Sequence, residues 1–220
     1  KEVLISSGSI ERPIVFGNND TPGVVLASAA KEYLKIYGVL VGKKPIIFTN
    51  NDSAYETAIE FKNNGIEPII LDTRSNPKSE IVDEAKNLGI NIKFSHVVVA
   101  ANGYKKVNSA QIAQISANKK DLGIIEKINC DCICVSGFWT PSIHLSSQSG
   151  NKTKFDDKID AFVPGKSKQN ETTVGSANGI FNLEETINTS FEKGYELSKK
   201  ITNKDNKVSI PQVSEKNYTS

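Results

Sequence analysis

Hydrophobic and polar positions follow two periods in the first half of this chain. Short unbroken apolar runs alternate with stretches of helical spacing. Pro45 to Phe48 and Ile69 to Leu71 are such runs, the mark of strands buried on both faces. Between them Ala54, Ala58 and Phe61 recur at helical spacing, and Asn51-Asp52-Ser53 stands at the head of the segment. Those three side chains carry the acceptors a helix start needs. Asn63-Asn64-Gly65 closes it, because Gly65 takes positive φ without cost. Strand, helix and strand make a βαβ unit, predicted right-handed with parallel strands. A second helix is predicted from Ser75-Asn76-Pro77, burying Ile81, Val82, Ala85 and Leu88 and ending at Gly89. A strand over Asn91 to Phe94 completes βαβαβ, one mononucleotide-binding half.

The flanks read differently. Glu2 to Ser7 is a strand ending at Gly8, and the chain to Asn19 is loop. Thr21 and Pro22 open a predicted helix to Tyr37, with Val25, Ala29, Ala30 and Leu34 inward and Gly38 as the stop. Past Phe94, His96 to Ala101, Lys106 to Ser116 and Gly123 to Ile128 predict an antiparallel meander, with Asn102-Gly103 as a hairpin signal. Cys130 to Ser136 is another buried strand, and Phe138 to Gly165 reads as irregular. Glu171 to Val174 is a short strand before Gly175-Ser176-Ala177-Asn178-Gly179. Asn182 then caps a helix, with Glu185 completing a capping box and Leu183, Ile187, Phe191 and Tyr195 as its apolar face. From Thr202 to Ser220 the chain is polar and reads as a linker or tail.

Composition changes this picture in a few places. With 220 residues the chain holds one large or two small domains, and a net charge of +2 argues against a dedicated nucleic-acid surface. No apolar run approaches about 20 residues, so no membrane span is expected, and a cytoplasmic setting follows from the lack of a signal peptide. The 220 residues contain no Met, and Lys1-Glu2-Val3 already sits in a strand-like run, so the chain reads as an internal piece of a longer polypeptide. Cys130, Cys132 and Cys134 fall on one face of a strand, about 7 Å apart, too far for an unstrained disulfide. With no fourth ligand beside them they read as reduced, buried residues, and no Cys-x-x-Cys redox pair exists.

Candidate chemistry lies at the strand ends. A dinucleotide fingerprint after Phe48 would place Gly at Thr49 and Asn51 and Gly or Ala at Ala54; only Ala54 fits. Asp72 stands where such a fold holds a ribose, but without a phosphate seat beside it. Val174 to Asn182 is the better anion seat: a strand, a Gly-rich turn and a capped helix start. Ser7-Gly8 and Ser136-Gly137 repeat a Ser-Gly strand end, where glycine admits a ligand to the sheet edge. His96 reads as structural, while His144 near Gln148 is a candidate ligand or partner contact. No carboxylate pair, metal cluster or triad is nominated as catalytic.

Three stretches carry a family likeness: ERPIVFGNNDTPGVVLASAAKEYLKIYGV, FTNNDSAYETA and CVSGFWTPSIHLSSQSG. Together they resemble the alpha subunit of heterotetrameric sarcosine oxidase, over roughly Leu4 to Tyr195. The resemblance implies an α/β, two-dinucleotide-domain fold like that of disulfide reductases, with NAD where relatives hold FAD. On this view 1–41 and 129–201 are parts of an incomplete NAD-binding domain, 42–128 is an inserted Rossmann-like domain with its meander, and 202–220 is the tail. The carried-over NAD contacts are Ser7, Gly8, Ser136, Gly137, Gly175, Ser176 and Asn182. Ser176 replaces the Asp usual in flavin-binding relatives. The family's complex oxidises sarcosine to glycine, makes hydrogen peroxide and passes the one-carbon unit to tetrahydrofolate through a downstream domain. FAD and FMN, and beta, gamma and delta subunits, complete it, so the piece alone is expected to be inactive. A scaffold or docking role is the rival expectation, as is the alpha subunit of a related opine, proline or cyanide-forming glycine dehydrogenase.

Overall fold

The computed structural model describes residues 1–118, 120–202, 209, 210 and 213. The elements run β1 (Val3–Ile5), β2 (Ser9–Glu11), β3 (Val24–Leu26), α1 (Ala27–Tyr37), β4 (Pro45–Thr49), α2 (Ser53–Asn63), β5 (Ile69–Asp72), α3 (Glu80–Asn87) and β6 (Asn91–Phe94). Next come β7 (His96–Gly103), β8 (Val107–Gln114), β9 (Glu126–Asn129), β10 (Cys132–Ser136), β11 (Trp139–Pro141) and α4 (His144–Gln148). The chain continues through β12 (Thr153–Asp156), β13 (Ala161–Pro164), β14 (Glu171–Thr173), a 3-10 turn (Gly175–Asn178) and α5 (Leu183–Thr202). It divides into two compact units. Among the described residues, unit A holds Lys1–Ile10 and the chain from Trp139 on, and unit B is Glu11–Phe138. Unit B contains the whole of 42–128 and adds β3, α1 and β10 to it.

Unit B is built on a parallel sheet in the order β3-β10-β4-β5-β6. Every residue of β4 and β10 is buried, as unbroken apolar runs require. Alternate residues serve opposite faces. Ile47, Ile70, Cys132 and Cys134 join Ala27, Ala54, Phe61 and Val82 of the helices, while Ile46, Phe48, Ile133 and Val135 join Val98, Val107 and Ile112 of the meander. Alanines at 27, 30, 54 and 58 let α1 and α2 lie close, and Thr57 Oγ1 donates to the Ala27 carbonyl at 2.9 Å. The meander is the antiparallel sheet β7-β8-β9. Gly65 and Gly89 take φ of 78° and 71°, ending α2 and α3 where the sequence places their stops.

Three expectations are corrected here. The predicted helix from Thr21 is not one: Val24–Leu26 is a strand paired to β10, and α1 begins only at Ala27. Gly23 at φ 106° rules out a helical turn there, and the valines gain a strand partner. The new helix start has no local cap; Ser28 N and Oγ both donate to Glu11 Oε2, at 2.9 and 2.6 Å. The cysteines do not share a face. Cys130 precedes β10 and packs with the meander, whereas Cys132 and Cys134 face the helices. All three are free and buried, as expected. Finally, 138–165 is not irregular but holds β11, α4 and the hairpin β12–β13. Phe155 and Phe162 face each other across that hairpin, ring centroids 5.2 Å apart, a cross-strand aromatic pair of the kind that fixes register.

Unit A carries the parallel pair β1–β14, the hairpin β12–β13 and the long helix α5. Asn182 caps α5 as predicted, its Oδ1 accepting from Glu185 N at 2.9 Å. None of the residues of α5 is fully buried. The predicted tail from 202 onward falls almost entirely outside the described residues. Among the described residues no helix is long and apolar enough to cross a membrane.

Candidate functional site

The seven expected contact residues fall into two groups. In unit A, β1 and β14 run parallel with Ile5 opposite Thr173, and Val174 N donates to the Ile5 carbonyl at 2.9 Å. Ser7-Gly8 and Gly175-Ser176 therefore leave the sheet at the same carboxyl edge, where α/β sheets take ligands. Gly8 and Gly175 both take left-handed backbone, φ 76° and 66°. A Cβ on Gly8 would meet nothing, so that edge is open; one on Gly175 would come within 3.2 Å of Thr186 Cγ2 on α5. Gly175 thus brings the strand end against the helix. Ser7 Oγ is engaged with the Ser142 carbonyl at 2.7 Å, and Ser142 N donates to the Gly8 carbonyl. Gly175 opens the 3-10 turn that leads toward α5, whose first turn carries Glu184 and Glu185. Asn182 is committed to the cap, and Ser176, in the 3-10 turn, is half-buried.

Ser136 and Gly137 belong to unit B, at the end of β10. Ser136 is buried, and both its carbonyl and its Oγ accept from Asn51 Nδ2 at 3.2 Å. Gly137 N donates to the Arg12 carbonyl at 2.6 Å, and a Cβ there would stand 3.0 Å from the Pro13 carbonyl and 3.1 Å from that of Arg12. The glycine admits the protein's own backbone.

The β4–α2 turn beside them is tightly bonded. Thr49 Oγ1 donates to the Asn51 carbonyl at 3.0 Å and accepts from Asn51 N at 3.1 Å. Asn51 Oδ1 accepts from Ser53 N and Oγ. Asp52 and Asp72, both fully buried, share one guanidinium: Arg74 Nη2 donates to Asp52 Oδ1 and to Asp72 Oδ2, each at 2.8 Å. Arg74 Nε and backbone N add bonds to Asp72 Oδ1, and Tyr55 Oη donates to Asp72 Oδ2 at 2.7 Å. Burial, and then the Asp72 charge and hydrogen bond, push the Tyr55 phenol far above its usual range. Burial works against the Arg74 charge, but the bonds and charge of Asp72 and Asp52 outweigh it and hold the guanidinium protonated. Asp72 is thus not presented to a ribose.

Sequence reasoning missed Arg74, Tyr55 and Glu11. The signal for Arg74 was Asp72-Thr73-Arg74, a cation two residues beyond a buried strand-end acid. Tyr55 and Glu11 left no such local sign. His96 is half-buried with Nδ1 donating to the Phe94 carbonyl at 2.6 Å, and His144 is exposed at the start of α4. Among the described residues no group of three or more His, Cys, Asp or Glu is placed to hold a metal ion.

The fold class follows from these units: α/β, two-dinucleotide-domain, like that of disulfide reductases. Thioredoxin reductase from T. acidophilum matches with a TM-score of 0.71 at 15% identity, over 92% of this chain and 66% of that one. L-proline dehydrogenase from P. horikoshii matches at 0.53 and 20% identity, over 97% and 40%. A NAD-dependent persulfide reductase from A. fulgidus matches at 0.57 and 18%, over 80% and 33%. No protein-family model matches. By sequence the chain is similar to sarcosine oxidase subunit alpha, which bears out the likeness read from its residues. It is 33% identical over 195 residues to the subunit of Corynebacterium sp. (strain P-1), covering 88% of this chain and 20% of that subunit. Against the Rhizobium meliloti (strain 1021) subunit it is 33% identical over 184 residues, covering 80% and 17%. The chain thus spans about a fifth of the length of the relatives it matches.

Proposed function

We propose that this chain is the dinucleotide-binding region of a sarcosine oxidase-type alpha subunit, holding a static NAD at the carboxyl edge of β1 and β14. The observation that supports it is the pairing of Gly8 and Gly175, both left-handed, at one parallel-strand edge that is open at Gly8 and packed against α5 at Gly175. Gly8 gives backbone access, Ser176 offers a hydroxyl, and Ser7 and Asn182 hold the edge in shape. Ser136 and Gly137 are assigned to unit B's own packing and leave the proposed contact set. A dinucleotide bound in this way contributes a fixed nicotinamide and pyrophosphate. The amine chemistry, with FAD and FMN, is assigned to the rest of a complex with beta, gamma and delta subunits, and the folate-linked step to a further domain. The reaction proposed for that complex is oxidative demethylation of sarcosine to glycine with hydrogen peroxide.

The test is nucleotide content. Acid release from the complete native complex that contains this chain should yield NAD in proportion to alpha subunit. A complex purified without any nucleotide sinks the reading. A docking role is favoured for unit B alone, because its own sheet edge is filled by side chains.

A further inference from the structure

The β4–α2–β5 unit has the strand, helix and strand that seat a dinucleotide in this fold class, and its helix start would face the pyrophosphate. The residues present do not fit that group. Three observations coincide. Asn51 fills the turn and is bonded on both ends of its amide, to Ser136 on one side and to Ser53 on the other. Asp52, at the N-cap of α2, and Asp72, at the end of β5, bury two carboxylates beside the helix start; neither caps it, since the Asp52 side chain makes no cap hydrogen bond and the Ser53 amide goes to Asn51 Oδ1. One guanidinium, Arg74, answers both of them. The positive potential of the seat is therefore met from within, with two acids to one base. A pocket of about 410 Å³ does open beyond Arg74, lined by Thr73, Ser75, Ser95, Gln114 and Ser116 among others. Among the described residues of its wall the charged group is the same Arg74, already shared between the acids.

We infer that unit B closes its own phosphate seat: Asn51 Oδ1 takes the Ser53 amide at the helix start, the buried Asp52 and Asp72 carboxylates beside it exclude a further anion, and this unit takes no nicotinamide dinucleotide. The inference stands apart from the NAD proposed for unit A.

The experiment is a titration of the isotope-labelled chain with NADH and NADPH, followed by backbone amide shifts. Thr49–Ala54 and Asp72–Ser75 are expected to stay in place through millimolar NADPH. Saturating shifts in those segments would overturn the inference. Shifts confined to Ser7, Gly8, Gly175 and Ser176 would support both readings; no shift anywhere would leave unit B's closure intact and count against the NAD proposal alone. A second arm uses Asp52→Asn combined with Asn51→Gly, tested with inorganic phosphate. If that variant retains the amide dispersion of the parent, at least a tenfold gain in phosphate affinity is expected. A folded variant with no gain would overturn the claim that the carboxylates exclude the anion. Should the variant not fold, the titration of the unaltered chain decides.

Discussion

Two sheet edges in this molecule have the same parts and opposite states. Each offers parallel strands ending in small polar residues, followed by a helix start. In unit A the edge carries Gly8 and Gly175, both with left-handed backbone, and a Cβ added at Gly8 would meet nothing. In unit B the corresponding space is taken by Asn51, by two buried acids and by the Arg12–Pro13 backbone against Gly137. Glycine therefore means different things at the two edges. At Gly8 a Cβ would meet nothing; at Gly137 glycine leaves room for the chain itself. A Ser-Gly strand end is not a binding signal until what faces it is known.

The largest expected effect comes from removing the shared cation of the closed edge. Arg74→Ala strands two buried carboxylates and should cost about 3–5 kcal/mol in urea unfolding. A loss under about 1 kcal/mol would show that the acids find other partners and that the edge is not closed by charge. Alkali should act next. Burial, with Cys132 and Asp131 nearby, lifts the Cys130 thiol from about 9 to about 12, and Tyr55 is raised as well. Between those two values the unfolded chain ionises while the folded chain keeps its proton. Stability should be level up to about pH 9 and then fall by more than about 1 kcal/mol per pH unit. Cys130→Ala should flatten the slope; an unchanged slope would place the titration elsewhere.

The glycines test the comparison directly. Gly137→Ala forces a Cβ against two carbonyl oxygens and should cost about 1–3 kcal/mol. Gly8→Ala meets no neighbour and should cost only the left-handed backbone, about 1 kcal/mol. If thermal unfolding ranks them the other way, the assignment of open and closed edges is reversed. Smallest is Asn182→Ala, which removes the α5 cap and should cost about 1 kcal/mol, read as lost helical ellipticity in the last melting step.

Much of unit B was legible from pattern alone. Its strands β4, β5 and β6 and the stops at Gly65 and Gly89 follow from apolar runs and glycine conformation, which are local. The failures have a common cause. Val24–Leu26 carries helical spacing by chance, and only β10, more than 100 residues later, makes it a strand. Cys130 has the alternation of a strand residue but lies before the strand begins. The closed turn was half legible: Thr49 and Asn51 announce that glycine is missing, but not that Arg74 and Tyr55 complete the seal. Long-range partners decide each of these, and a window on the sequence does not contain them.

The Glu11 carboxylate at the head of α1 has a consequence for dynamics. The first turn of α1 has no side-chain cap at Leu26; the Ser28 amide and hydroxyl are held by an acid from 17 residues upstream. Hydrogen exchange at Ser28 therefore reports on whether the segment around Glu11 is docked rather than on helix propensity. In a chain opening from that segment, the protection of α1 should be lost from its N-terminal end while the Gly38 end, closed by its own backbone bonds to Leu34 and Tyr33, still resists exchange.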